Sequence, residues 1–288
     1  IGQQFYPGFS EGALVSSDIT WYTSKNMNVG FDFASLNNRL SGTIEYFRMS
    51  TTGYLASPSN VGYTAPLGVS LPKIISDGES IRQGAEFLLS WQDNIGELKY
   101  NISGNLTFYQ DRWNINPDES EVNLKNPYKR STQVGSYWGL GYNCLGYYKN
   151  YEDIMNSPKR PESVNLGAGD LKYEDFNGDG IINDNDQHRI GHASSPRMNY
   201  GLSLGIEYKG WFMNMLWQGA GAYDIEYAYR TQEKMLVYFD FQKDAWSLDN
   251  QDALFPRLRS ASGVNGYNNN MASTFWLVNG KYIRLKNL

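Results

Sequence analysis

The sequence predicts an all-β protein, part of a large antiparallel transmembrane β-barrel with long extracellular loops. Three observations carry that expectation. Apolar and polar residues alternate with a period of two in seven segments, and short and long connections between these segments alternate strictly. The apolar sets of two segments also begin and end in an aromatic residue.

The segments follow in chain order. Residues 26–33 set Met27, Val29, Phe31 and Phe33 against Asn26, Asn28, Gly30 and Asp32, the pattern of a strand with one apolar face. Residues 39–50 form the next strand, reached through an Asn37-Asn38 turn, since asparagine tolerates the left-handed backbone of tight turns. Residues 82–92 and 100–109 make a second pair, joined through Asp93-Asn94-Ile95-Gly96. In 100–109, Tyr100, Ile102, Gly104, Leu106 and Phe108 alternate with Asn101, Ser103, Asn105, Thr107 and Tyr109. Residues 200–208 oppose Tyr200, Leu202, Leu204, Ile206 and Tyr208 to Gly201, Ser203, Gly205 and Glu207. After Lys209-Gly210, residues 211–218 oppose Trp211, Met213, Met215 and Trp217 to Asn214 and Gln218, and 281–288 starts a seventh strand.

At about 3.3 Å per residue, the run from Tyr200 to Tyr208 covers about 26 Å. Tilted by about 40°, that is about 20 Å of height, close to the apolar band of about 25 Å between the aromatic girdles of an outer-membrane barrel. The long connections run over 51–81, 110–198 and 219–279. In an up-and-down sheet, all short turns then fall at one end and all long loops at the other, as in such barrels. A soluble β-sandwich has alternating strands too, but no reason to segregate its turns. Seven strands leave two unpaired edges that lipid cannot satisfy, so the sheet is expected to be completed by sequence outside this chain. Leu285-Lys286-Asn287-Leu288 stops inside a strand, and Ile1-Gly2-Gln3 opens no secretory signal, which places any targeting segment upstream.

Composition narrows the classes. No run of about 18 apolar residues is present, which excludes a transmembrane helix. Aromatic residues make up 15%, with 22 tyrosines, residues that suit strands and surfaces with one greasy and one wet side. The net charge of −5 comes with no basic cluster, which argues against nucleic acid as a partner. The lone Cys144 permits no internal disulfide framework.

One motif is chemically sharp. Residues 175–186 place oxygen ligands at positions one, three and five (Asp175, Asn177 and Asp179), and Gly180 at the sharp turn. The carbonyl of Ile181 follows, and a closing carboxylate, Asp186, comes at position twelve. This is the spacing by which one short loop wraps oxygens around Ca²⁺. Asp186 stands where an EF-hand carries glutamate, and no helical periodicity flanks the loop, so a structural clip is expected and not a switch. Ile182 at position eight would pin the loop to its neighbours. His188 and His192 lack a third zinc ligand, and no nucleophile elbow or nominated carboxylate pair suggests an enzyme. Tyr137, Trp138, Tyr142, Tyr147 and Tyr148 either stack on a sugar or peptide or pack the long loop against its neighbours.

Several stretches resemble one family. Asp18-Ile19-Thr20-Trp21, Asn28 to Phe33 and Asn37 to Phe47 look like the barrel pattern of SusC/RagA-type TonB-dependent transporters, and Arg82-Gln83-Gly84-Ala85-Glu86-Phe87 is similar to a later strand. The most specific match is Gly169-Asp170-Leu171-Lys172-Tyr173-Glu174-Asp175 leading into the calcium-like loop, followed by Ile190-Gly191, Pro196 and Tyr200-Gly201. Phe275-Trp276-Leu277 and Tyr282 to Asn287 resemble the segment before the final strands, and the likeness is weakest in 111–168 and 222–270. The resemblance implies a barrel of about 22 strands, a plug preceding it, and the outer membrane as location. It further implies energy from the TonB complex through the missing N-terminal part, and a SusD-like lipoprotein lid. Import of oligosaccharides or peptides follows, with a dimer of transporter–lid pairs among the implied assemblies. On this reading residues 1–288 are a partial barrel, and 169–191 a calcium-like loop within an extracellular loop. The competing readings are a soluble, secreted, calcium-stabilised carbohydrate-binding module and a secreted enzyme.

Overall fold

The computed structural model describes residues 19–56, 74–75, 77–132, 137–160, 165–227, 240–258 and 268–288. Ile1-Gly2-Gln3, Asp18 and parts of all three long connections lie outside the described residues.

All seven expected strands are present: β1 (Thr23–Ser35), β2 (Leu40–Thr52), β3 (Glu79–Ile95), β4 (Leu98–Ile115), β5 (Met198–Tyr208), β6 (Trp211–Gly221) and β7 (Tyr282–Asn287). They form one sheet in chain order from β1 to β7. The fold is all-β, and β4 pairs with β5, β5 with β6 and β6 with β7, each antiparallel. Among the described residues the remaining sheets have two strands each, so no second sheet of comparable size packs on the first as a sandwich requires.

The tight turns follow backbone chemistry. Leu36, Asn37 and Asn38 all take positive φ, as do Lys209 and Gly210, whose two-residue link between β5 and β6 matches the twist of a hairpin. The turn expected at 93–96 is smaller. Asp93, Asn94 and Ile95 stay in β3, and the chain reverses at Gly96 and Glu97, because only Gly96 there adopts positive φ.

The chain divides into two compact units. Unit 1 comprises Ile1–Phe31, Ile44–Ala85 and Tyr109–Gly135, and unit 2 comprises Asp32–Thr43, Glu86–Phe108 and Ser136–Leu288. In unit 1, Ser24 bonds Thr51 (2.9 Å), and Arg82 forms a two-point pair with Asp111 (2.6 and 3.3 Å).

In unit 2 the register separates two chemistries row by row. Leu106, Tyr200 and Gly219 are aligned across β4, β5 and β6, then Gly104, Leu202 and Trp217, then Ile102, Leu204 and Met215, then Tyr100, Ile206 and Met213. The intervening rows are Asn105, Gly201 and Gln218, then Ser103, Ser203 and Leu216, then Asn101, Gly205 and Asn214. One face is therefore a greasy surface and the other largely amide and hydroxyl. The apolar face is not sealed into a core: Leu204 and Met215 are half-exposed, and in unit 1 Phe31 is 64% exposed. At the turn end of the polar face, an open recess of 750 Å³ is bounded by Lys99, Asn101, Glu207, Phe212 and Asn214, among others. Lys99 and Glu207 pair there at 3.1 Å.

Candidate functional site

The buried core sits in the long connections. Residues 139–141 pair with 188–190, residues 144–147 with 171–173, and residues 224–226 with 277–279, each antiparallel. These short sheets enclose a cluster of Tyr142, Leu171, Tyr173, Ile182 and Trp276, all buried, with Tyr147, Phe255 and Phe275 packed around it. Such a cluster lets a loop of this length hold one conformation, since burial offsets the entropy of ordering it. Burial also pushes the Tyr148 hydroxyl up to about 12 and the Cys144 thiol up to about 11. Two short helices brace the outer turns. Ser120 caps Glu121–Lys125 in unit 1, and in unit 2 Asn150 caps Tyr151–Met155.

A buried polar network lies beside the cluster. Asp170, fully buried, receives two bonds from Arg257 (2.9 and 3.1 Å), one from Asn269 (3.0 Å) and one from the Gly167 N–H (2.8 Å). Asn269 accepts from the Leu171 N–H at 2.9 Å, and the Trp276 indole donates to the Asn269 carbonyl at 2.8 Å. Gly169 has φ +83°, and a Cβ there would run into the Trp246 ring. Asp170 and Trp276 fall in the sequence stretches that carry the family resemblance. Arg257, Asn268 and Asn269 were not legible, because an Asn run and a lone arginine look like any polar loop.

The calcium-like loop, expected to bind through Asp175, Asn177, Asp179, Ile181 and Asp186, is closed by its own hydrogen bonds. Asp175 accepts from the N–H groups of Gly178 (2.8 Å), Asp179 (3.1 Å) and Gly180 (2.7 Å). Asn177 accepts from the Asp179 N–H and donates to the Asp179 carboxylate, both at 2.9 Å, and Asp179 accepts from the Ile181 N–H at 2.8 Å. Asp186 is buried, and its oxygens take the N–H groups of Phe176, Asn177 and Asn183. Ile182 is fully buried and its N–H bonds the Lys159 carbonyl at 2.8 Å, which is the expected pin. The donor set is oxygen-rich, as calcium requires. Among the described residues, however, no three His, Cys, Asp or Glu side chains gather as a metal cluster.

The loop aromatics divide. Tyr142 and Tyr148 are buried and Tyr147 packs edge-on to Phe275, so these three serve packing. Tyr137 is exposed and Trp138 half-buried. His188 stacks on Phe176 at 4.1 Å, and His192 faces Asp224 at 3.1 Å, so the two histidines have separate partners.

Comparison with known proteins gives a consistent result. No protein-family model matches the chain. It is 25% identical over 296 residues to TonB-dependent receptor P26 of Formosa agariphila, covering 97% of this chain and 28% of that receptor. It is 21% identical over 305 residues to TonB-dependent receptor SusC of Bacteroides thetaiotaomicron, covering 98% of this chain and 27% of that one. Among solved structures, the RagAB peptide transporter matches with a TM-score of 0.62 at 15% identity, over 94% of this chain and 28% of that one. The RagAB importer in its open-open state matches with a TM-score of 0.61 at 17% identity, over 93% of this chain and 28% of that one. The chain thus spans less than a third of the length of the curated relatives it matches.

Proposed function

We infer, from a chain that resembles SusC/RagA-type TonB-dependent transporters along nearly its whole length, that it is wall and rim of an outer-membrane barrel that imports nutrients. The observation that carries this reading is the row-by-row separation of β4, β5 and β6 into an apolar face exposed to the surroundings and a polar face. A soluble protein has no use for an unsealed apolar face of this extent, whereas in a bilayer it is the surface that meets lipid. The relatives are named as receptors and importers, which supports transport and not catalysis.

On this proposal the polar face lines the lumen, within a barrel of about 22 strands completed by sequence beyond this chain. The recess beside Lys99 and Glu207 faces a plug supplied by that sequence, which also contacts the TonB complex. The folded loops present the surface on which a SusD-like lipoprotein closes as a lid over the oligosaccharide or peptide, and such pairs assemble as dimers. Calcium held by Asp175, Asn177, Asp179, the Ile181 carbonyl and Asp186 would stiffen that rim before the lid arrives, which lowers the ordering cost of association. The supports for calcium are ligand spacing and oxygen chemistry.

The test is assembly and uptake by the full-length protein in its own outer membrane. The expected result is a heat-modifiable band confined to the outer-membrane fraction, and loss of uptake of its cargo on gene deletion. A full-length protein that stays monodisperse in buffer without detergent would overturn the proposal.

A further inference from the structure

Aromatic residues on an outer-membrane barrel belong to the lipid-facing girdles, yet one group in unit 1 falls on the opposite face. Along β4 the even-numbered residues from Leu98 to Phe108 carry the apolar face, so the odd-numbered Tyr109, Asp111 and Trp113 lie on the polar one. Around Trp113 the rings form a chain: Tyr54 meets it edge-on at 4.8 Å, and Tyr22 lies 5.3 Å from Tyr54, tilted by 41°. The Tyr54 hydroxyl bonds Ser80, which fixes its ring. One step toward the turn end, Arg82 holds Asp111 in its two-point pair and stands 5.3 Å over the Tyr109 ring. Trp113 and Tyr54 are half-buried, and Tyr22 is 62% exposed. These rings are neither core nor girdle.

We propose that Tyr22, Tyr54 and Trp113, with the Arg82–Asp111 pair beside them, form a stacking subsite for the pyranose rings of a neutral oligosaccharide. The inference rests on the import reading and assigns residues to it. A pyranose offers a flat apolar C–H face and an edge of hydroxyls, which call for an aromatic ring and a nearby planar donor–acceptor pair. β2, β3 and β4, the strands next to Tyr54 and carrying Arg82 and Trp113, are interior to the sheet and paired on both sides, so an extended peptide cannot be read against them by strand addition. Side-chain faces are what the site offers.

The test is calorimetric titration of the detergent-purified full-length transporter with maltohexaose, cellohexaose, laminarihexaose and xylohexaose, and with a neutral hexapeptide, Gly-Ala-Ser-Tyr-Ala-Gly. At least one hexasaccharide should bind. Trp113→Ala and Tyr54→Ala should each weaken it about tenfold, the scale of one aromatic contact. Trp113→Tyr should recover most of the affinity, which separates ring loss from misfolding, and the heat-modifiable band should persist in every variant. Binding of no hexasaccharide, unchanged affinity in both alanine variants, or a hexapeptide bound and lost with the same variants would each overturn the subsite. None of these results touches the import proposal, which stands or falls on membrane assembly and uptake.

Discussion

Asp170 shows how much one side chain carries in the loops. It is a fully buried carboxylate that accepts two hydrogen bonds from Arg257 and others from Asn269 and the Gly167 N–H. Asp170→Ala leaves a guanidinium, about two thirds of its side chain hidden, without its partner. Breaking a buried pair costs about 3–5 kcal/mol, and the lower end applies because 33% of the Arg257 side chain is solvated. Hydrogen exchange in 165–173 and 255–258 should accelerate in this variant, while exchange in β5 and β6 stays unchanged. Cys144 gives a second test at this scale. With its thiol pushed up to about 11 by burial, about one molecule in a thousand is ionised at pH 8. Reaction with a disulfide reagent should therefore be far slower in the native protein than after denaturation; equal rates would place the thiol in water.

At the scale of elements, the calcium-like loop is the sharpest case. Asp175→Ala or Asp179→Ala removes acceptors for N–H groups within the loop, so limited proteolysis should cut 175–186 faster. If calcium also holds the loop, a chelator should speed cleavage of the natural protein and have no effect on either variant. The helix at 151–155 makes a pH-dependent prediction. The Lys172 ammonium at 2.7 Å, with the Lys149 N–H, holds the Asp153 carboxyl below its ordinary value. A depressed carboxylate stabilises the fold above the unfolded value of about 3.9 and loses that contribution as pH falls through the folded value. Lys172→Met should therefore lower the loop's melting midpoint, read by tyrosine fluorescence, at pH 7 and leave it unchanged near pH 2.

Strand existence was legible in the sequence because one face of the sheet is apolar at every second residue. Strand length was less so. In β4 the even positions switch from Leu106 and Phe108 to Gln110, Arg112 and Asn114. The pattern ends there although the strand continues to Ile115, because hydrogen bonding continues where the demand for apolar side chains has stopped. The pairs that build the loop core, such as Asn269 with Leu171 and Arg257 with Asp170, lie far apart in sequence, and no local period announces them.

At the scale of the whole molecule, the import proposal makes two adjacent residues behave in opposite ways. Leu204 lies in the apolar row with Ile102 and Met215, whereas Ser203 lies in the polar row with Ser103 and Leu216. An arginine facing lipid near mid-bilayer costs about 2–4 kcal/mol. Leu204→Arg should therefore reduce the heat-modifiable form in outer-membrane vesicles, while Ser203→Arg should assemble normally. Equal tolerance at both positions would mean that the apolar face does not meet hydrocarbon.

On the import proposal, the cluster of Tyr142, Leu171, Tyr173, Ile182 and Trp276 makes the rim dependent on water in a way the lipid-seated strands are not. Apolar burial in water weakens on cooling. On cooling, the loop core should therefore soften while the strands keep their pairing, and under the import proposal temperature would govern capture before it governs passage.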